Sequence, residues 1–575
     1  GLVRDGATVK LTRDLSDLKI PPTVQSILAS RIDRLPSDEK DLLQALAVIG
    51  KEFQLGLIRA VTAKSDDELN RMLGDLQLAE FIYEQPALGD IEYSFKHALT
   101  QEVAYNSVLI ERRKLLHERA AVALETMFAA QVDDHLEALA HHYRRTDNLE
   151  KAVEYLGQAG QQAAMRSAYA DAISRLTAAI DLLQKLPDSP KRVQQELLLQ
   201  LALGPAVTIV NGRTAPEVER IYTRAQQLCE GLGDTPELIP TLFGLWSLYF
   251  LRADLQRACE LAQQLLRQAQ SSQDSVQLLY AHLTVGHTSY GLGEFLRARE
   301  HEEIAISIYN PDRHRPYGFQ YLYSLCGISW TLWHLGYPDQ ALKRSHEALA
   351  IAQTLSDPMS LALAQFFAGS LRQYRGEARE AQRHAETTTT LCFENGLPNF
   401  FDYSTIMSGW VMVHHGHNQE GTEQIQQGLA ALHESGAELR KPYFLCLLAD
   451  ACLGASHYDQ GLRALQEALA AADKNEDRNH EPDIHRLEGE LLLARDGSSA
   501  SQAQTCFERA VEIARTRSAK SLELRATVSL ARLLAKQGKR AEALAMLAEI
   551  YNWFTEGFDT ADLKEAKALL DELGS

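Results

Sequence analysis

The sequence predicts an all-α protein, a solenoid of stacked helix hairpins that follows a smaller domain carrying a little β-structure. Three observations predict it. Leu, Ala, Glu and Gln crowd the 575 residues, and alternating β-branched runs are scarce. A small residue recurs at nearly constant spacing from residue 258 to residue 543. Glycines precede that residue at a fixed distance, where a helix would have to end.

The repeat is clearest in LGYPDQALKRSHEALAIAQ (335–353), YRGEAREAQRHAETTTTLC (374–392) and ASHYDQGLRALQEALAAAD (455–473). Aligning the small residue gives Ala258, Ala298, Ala341, Ala381, Gly421, Gly461, Ala503 and Ala543, at successive spacings of 40, 43, 40, 40, 40, 42 and 40. A small side chain there lets the two helices of a hairpin approach closely. Gly293, Gly336, Gly376, Gly416 and Gly538 stand five residues earlier and suit a left-handed turn. Such a unit buries its apolar faces only by stacking, so the array reads as a right-handed α-solenoid of tetratricopeptide-like hairpins. Its period exceeds the standard length of about 34 residues, so longer helices are expected. Shorter, irregular pairs surround NLEKAVEYLGQAG (148–160) and YADAISRLTAAIDLL (169–183).

Residues 1–125 do not follow the period. Helical patterns at 37–48, 54–62 and 66–79 precede two strand-like runs, FIYE (81–84) and IEYSF (91–95). Three helices and a small β-ribbon predict a winged helix, with a capping box from Ser65 to Glu68 opening its third helix. The expected division is 1–19 as the tail of an upstream module, 20–125 as the winged helix, 126–190 as irregular hairpins and 191–575 as the superhelix.

The net charge of −19 disfavours a phosphate backbone as partner. The third helix of the winged domain, with four carboxylates against one arginine, disfavours DNA readout in particular. No uncharged apolar run reaches the roughly 18 residues of a membrane span, and the seven scattered cysteines suit free thiols in the cytoplasm. Gly1 in place of Met reads as the start of a fragment or processed product. Gly50-Lys51 and Gly538-Lys539 lack the rest of a phosphate-binding loop. His414, His415 and His417 have no carboxylate pattern nearby and read as turn histidines, not as a metal site. No nucleophile or general base emerges, so neither catalysis nor a cofactor is expected of this chain.

IPPTVQSILASRIDRL (20–35), AVIGKEF (47–53) and FKHALTQEVAY (95–105) resemble the segment after the ATPase core in STAND-type signalling ATPases. They look most like bacterial proteins that fuse a class III nucleotide cyclase, an AAA/STAND ATPase and a tetratricopeptide array. The resemblance continues through LGYPDQAL (335–342), HRLEGELLL (485–493), AKSLELRA (519–526) and NWFTEGFDTADL (552–563). It implies a regulatory half whose upstream modules would bind ATP, ADP and Mg, and it implies an ATPase module as partner in cis. It also places His97 where a winged-helix histidine touches the β-phosphate of ADP, although Ala98 stands where the fuller motif has aspartate.

Trp246, Tyr249, Tyr280, Tyr290, Tyr323, Trp330, Trp333 and Trp410 load the first helices of the middle repeats. These rings line either a groove for a protein or small-molecule ligand or the core between repeats. Arg440, with Arg252, Arg372 and Lys441, is placed to meet an acidic group on that ligand. The expected function is a sensor arm: ligand or partner binding in the superhelix relieves autoinhibition through the winged helix, with homo-oligomerisation on activation. The alternatives are a constitutive scaffold for protein partners and the regulatory half of a transcriptional activator.

Overall fold

A computed structural model describes residues 2–5, 8–11, 22–85, 91–233 and 235–575. The chain divides into two compact units between Ala206 and Val207. Both that division and the expected boundary at residue 191 fall within one continuous helix, Pro190–Asn211. Among the described residues this helix alone has the length and hydropathy of a membrane span, with 44% of its apolar window buried.

In the first unit, helices Ser37–Ile49, Leu55–Thr62 and Asp66–Leu78 pack on a three-stranded antiparallel sheet. Glu92–Phe95 is its central strand, flanked by Glu52–Gln54 and Ile82–Gln85. The strand Glu52–Gln54 was not expected; three residues are too few for alternation to register. Leu46, Ile58, Leu73 and Phe95 fill the core, and Ser65 and Glu68 form the capping box. Hairpins such as Leu149–Met165 with Tyr169–Leu183 complete the unit.

The second unit is all-α, a solenoid of helix hairpins. Its regular helices run to 17 or 18 residues, as in Pro358–Tyr374 and Ala378–Asn395. The recurring small residues do what the spacing implies: Ala258, Ala298, Ala341, Ala381, Ala503 and Ala543 are fully buried between helices. A Cβ on Gly421 would lie 2.5 Å from the carbonyl oxygen of Gly409, and one on Gly409 would lie 2.7 Å from that of Gly421. The turn glycines adopt the left-handed conformation, with φ from 73° at Gly376 to 89° at Gly336.

The superhelix also closes on itself. The C-terminal carbonyls of four first helices accept hydrogen bonds from the next turn of the array. Leu251 accepts from the amide of Leu439 at 3.2 Å, and Gly291 from that of Arg478 at 2.9 Å. Trp333 accepts from the Ser521 hydroxyl at 2.5 Å, and Tyr374 from the Arg525 guanidinium at 2.6 Å. A helix leaves its last carbonyls short of donors; Trp333 also accepts from Gly336 in its own turn, whereas Leu251, Gly291 and Tyr374 draw theirs from the next superhelical turn. Farther along the same seam, the amide of Gly557 donates to Asp339 at 2.9 Å.

Because Gly421 and Gly409 meet backbone to backbone, Gly421→Ala is expected to cost about 1–3 kcal/mol, the usual penalty of overpacking. A lowered melting temperature with unchanged helicity by circular dichroism is the measurement that checks it.

Candidate functional site

The first helices of successive repeats turn one face inward, and positions i, i+3, i+4 and i+7 recur there. In Lys441–Gly454 these are Tyr443, Cys446, Leu447 and Asp450; in Glu481–Arg495 they are Asp483, Arg486, Leu487 and Glu490. Lys520–Lys536 contributes Arg525, Val528, Ser529 and Arg532. Together with Tyr374, Trp410, His480 and Asp562 they wall a cavity of about 410 Å³, within the range that holds small ligands.

Its charged wall is a network. Asp483 accepts from Arg486 at 2.8 Å and lies 3.5 Å from Arg525, which pairs with Asp562 at 3.0 Å. Arg532 pairs with Glu565 at 2.6 Å. Burial pushes the Asp483 carboxyl up, but Arg486 and Arg525 outweigh it and hold the group down at about 2.

The floor is aromatic and buried. Tyr374, Tyr443, His334 and His480 form a cluster with ring centroids 4.6–5.6 Å apart. Burial keeps these imidazoles neutral: His334 titrates at about 4, and His480 lies well below the usual range. His480 has Asn479 on Nδ1 at 2.8 Å, which leaves Nε2 as the free ring nitrogen. Behind the lining, His480 Nε2 and Trp410 Nε1 are buried without a hydrogen-bond partner, and neither is accessible from the cavity.

Of the two places open to the aromatic residues, a groove or the core between repeats, most take the second. Trp246, Tyr290, Trp330, Trp333 and Trp410 are all at most 4% exposed and belong to the core between repeats. Trp246 donates to Thr288 and Trp330 to the Phe367 carbonyl, each at 2.9 Å. Tyr249, Tyr280 and Tyr323 are half-buried; Tyr249 donates to Glu219, Tyr280 accepts from Gln320, and Tyr323 stacks on His287. Closure of the superhelix is the reason, since the inner faces of the middle repeats are covered instead of open. Of these rings, Trp410 lines the cavity.

Arg440 is buried too, its guanidinium 3.9 Å above the Trp330 ring and its amide donating to Asp477. Arg252 pairs with Glu219, Arg372 with Glu377 and Lys441 with Glu467, so these three are already engaged. His97 sits in the first unit, exposed, at the N-terminus of helix Ala98–Asn106. His414, His415 and His417 are exposed at a turn, and among the described residues no group of three ligating side chains is placed to hold a metal ion.

The wall residues Asp450, Arg486, Glu490, Arg525 and Arg532 were missed from sequence. The available signal was a polar residue returning every 40 or 42 positions on the inward face, as from Asp450 to Glu490 to Arg532.

The neutral interior histidines set a pH dependence. Their folded pKa values lie below the unfolded value of about 6.5, so on acidification the unfolded chain takes up protons that the folded one refuses. Stability is full above that value and is lost as pH falls towards the folded values, about 4 at His334 and about 3 at His287. Each such group costs about 1.4 kcal/mol per pH unit in that window. Melting temperatures are expected to be flat above pH 7 and to fall steeply from pH 6.5 to pH 4.5, and calorimetry across that range checks it.

No family model matches the chain. An uncharacterised protein of Rhizobium meliloti (strain 1021) is 25% identical over 524 residues, 88% of this chain and 50% of that protein. The chain thus spans about half the length of the curated relative it matches. Among solved structures, the Cut9–Hcn1 hetero-tetramer of the APC/C is 14% identical with a TM-score of 0.46, over 90% of this chain and 92% of that one. A STAND protein with a tetratricopeptide repeat sensor from Pyrococcus horikoshii is 12% identical with a TM-score of 0.32, over 96% of this chain and 66% of that one. At such identities and scores the likeness concerns the helical repeat fold alone.

Proposed function

We propose that this chain is the sensing and interaction arm of a signalling ATPase, with its receptor site in the superhelical cavity. The observation that carries the reading is the cavity itself: about 410 Å³, walled by six helices, with a network of buried carboxylates and guanidiniums on its lining. The strings that carry the resemblance in this half also converge there. HRLEGELLL supplies Arg486 and Glu490, AKSLELRA supplies Arg525, and NWFTEGFDTADL supplies Asp562. LGYPDQAL lies on the adjoining seam, where Asp339 accepts from Gly557.

A ligand in this cavity touches helices of two successive superhelical turns, so it has different affinities for a closed and a slightly opened array. That difference is all a ligand needs to shift one towards the other. In the first unit, Ile27, Leu78, Leu109 and Ile110 are 61–85% exposed, which suits docking of an ATPase module on a winged helix. In the parent protein His97 would reach the β-phosphate of ADP and hold the resting state; ATP, Mg and any cyclase activity belong to that parent.

Thermal unfolding against a panel of metabolites, nucleotides and short peptides tests the receptor site. A ligand is expected to stabilise the chain by about 2.7 kcal/mol at a hundredfold excess over its dissociation constant. Ser529→Trp, which fills the cavity, is expected to abolish the shift. A panel without a single shift, together with a protein partner that binds the Ser529→Trp variant unchanged, would establish the constitutive scaffold instead. In the full-length parent, His97→Ala is expected to speed ADP release and raise basal activity; nucleotide retention measured after gel filtration checks this.

A further inference from the structure

We infer that the superhelix carries a second binding site, for a carboxylate or phosphate group, at the guanidiniums of Arg213 and Arg440. Neither residue lines the cavity described above, so the site does not depend on the receptor reading.

Closure of the array brings these two distant positions to one place. Arg213 lies in the link between helices Pro190–Asn211 and Pro216–Leu232. The hydroxyl of its neighbour Thr214 donates to the Ser435 carbonyl, and the Thr214 carbonyl accepts from Arg252 at 2.8 and 3.1 Å. The link is thereby pinned to the segment 435–440, which ends at Arg440 and leads into helix Lys441–Gly454. Arg440 holds a left-handed φ of 65°, a costly conformation for a residue other than glycine. Its guanidinium lies over the rings of Trp330, Phe367 and Phe366, at 3.9, 4.9 and 5.5 Å. Tyr403 stacks on Phe366 at 4.8 Å, and Tyr323 meets Phe367 edge-on at 5.9 Å. Burial raises the hydroxyls of both tyrosines, and both Arg440 and Arg213 pull them back down, so the two guanidiniums face the same pair of phenols.

The two cations have no counter-charge. Among the described residues neither guanidinium forms an ion pair, and Arg213 has only the Met359 sulfur, at 3.7 Å. Arg252, Arg372 and Lys441, by contrast, each hold a carboxylate. Asp477 accepts the Arg440 backbone amide at 2.8 Å, and burial lifts its carboxyl to about 6. Burial lifts Asp402, beside Tyr403, to about 6 as well. Cations held among aromatic rings without an anion are costly, and an anionic ligand relieves that cost. The donors are also within reach. Arg213 and Tyr323 are half-buried. Arg440 and Tyr403 are each 7% exposed, and neither the Arg440 guanidinium nor the Tyr403 hydroxyl is sealed from solvent, unlike the hydroxyls of Tyr290 and Tyr374. Two guanidinium forks and two phenol hydroxyls supply N–H and O–H donors, the complement of a carboxylate or phosphate.

Isothermal titration with glutarate, phenyl phosphate and, as a cationic control, 1,5-diaminopentane tests the site, in low-salt buffer free of phosphate. One or both anions are expected to bind, and Arg213→Gln to weaken them by about tenfold or more. Glutarate alone identifies a carboxylate ligand, phenyl phosphate alone a phosphate ester. Melting temperatures verify that the variant folds. Should it not, Tyr323→Phe keeps the ring and removes only the hydroxyl, and is expected to weaken binding about tenfold. Ser529→Trp, which fills the cavity, is expected to leave the anion bound. No binding of either anion up to about 10 mM, equal binding of the diamine, unchanged affinity in the folded variant, or loss of the anion in Ser529→Trp overturns the inference. The receptor reading stands or falls separately, on ligands whose binding Ser529→Trp abolishes.

Discussion

The superhelix depends on what happens at the C-terminal ends of its first helices. A helix end exposes carbonyls that must find donors, and a water-facing end finds them in solvent. Here Leu251, Gly291, Trp333 and Tyr374 find them in Leu439, Arg478, Ser521 and Arg525, one superhelical turn onward. The ordinary picture of a solenoid, in which each repeat contacts only its neighbours, therefore fails for this molecule. Contacts between residues nearly 190 positions apart in sequence tie the array into a closed body.

Closure explains how the interior holds so many polar side chains out of contact with solvent. A groove open to water would tolerate Tyr290, His334, Tyr374 and His480 cheaply, whereas a closed interior forces each to find a partner or go without. Arg440 lies flat on Trp330 in place of an ion pair, and Asp483 is shared between two guanidiniums. Asp450 and Glu490 stand on the cavity wall, and Arg525 belongs both to that wall and to the seam.

The small-residue ladder from Ala258 to Ala543 was legible because close helix approach constrains side-chain size directly, and a constraint repeated eight times leaves a period. The turn glycines were legible because few other residues reach a positive φ without cost. The front-end helices were legible as well, while the strand Glu52–Gln54 was too short to be seen. The site was only partly legible. Aromatic side chains announce burial, but not whether they are buried against protein or against a ligand. Trp410 lines the cavity and Trp330 and Trp333 do not, although all three read alike in sequence.

The sequence by itself determined the helix hairpin and its period of about 40 residues, since these follow from interactions within one or two repeats. Tertiary structure alone decided that the array closes after four to five repeats, that its aromatic stripe becomes core, and that Asp450 and Glu490 share one cavity wall. Closure follows from the small rotation added at each repeat interface. That rotation is set by packing details too slight to leave a motif, and it accumulates over nearly 190 residues before the chain meets itself.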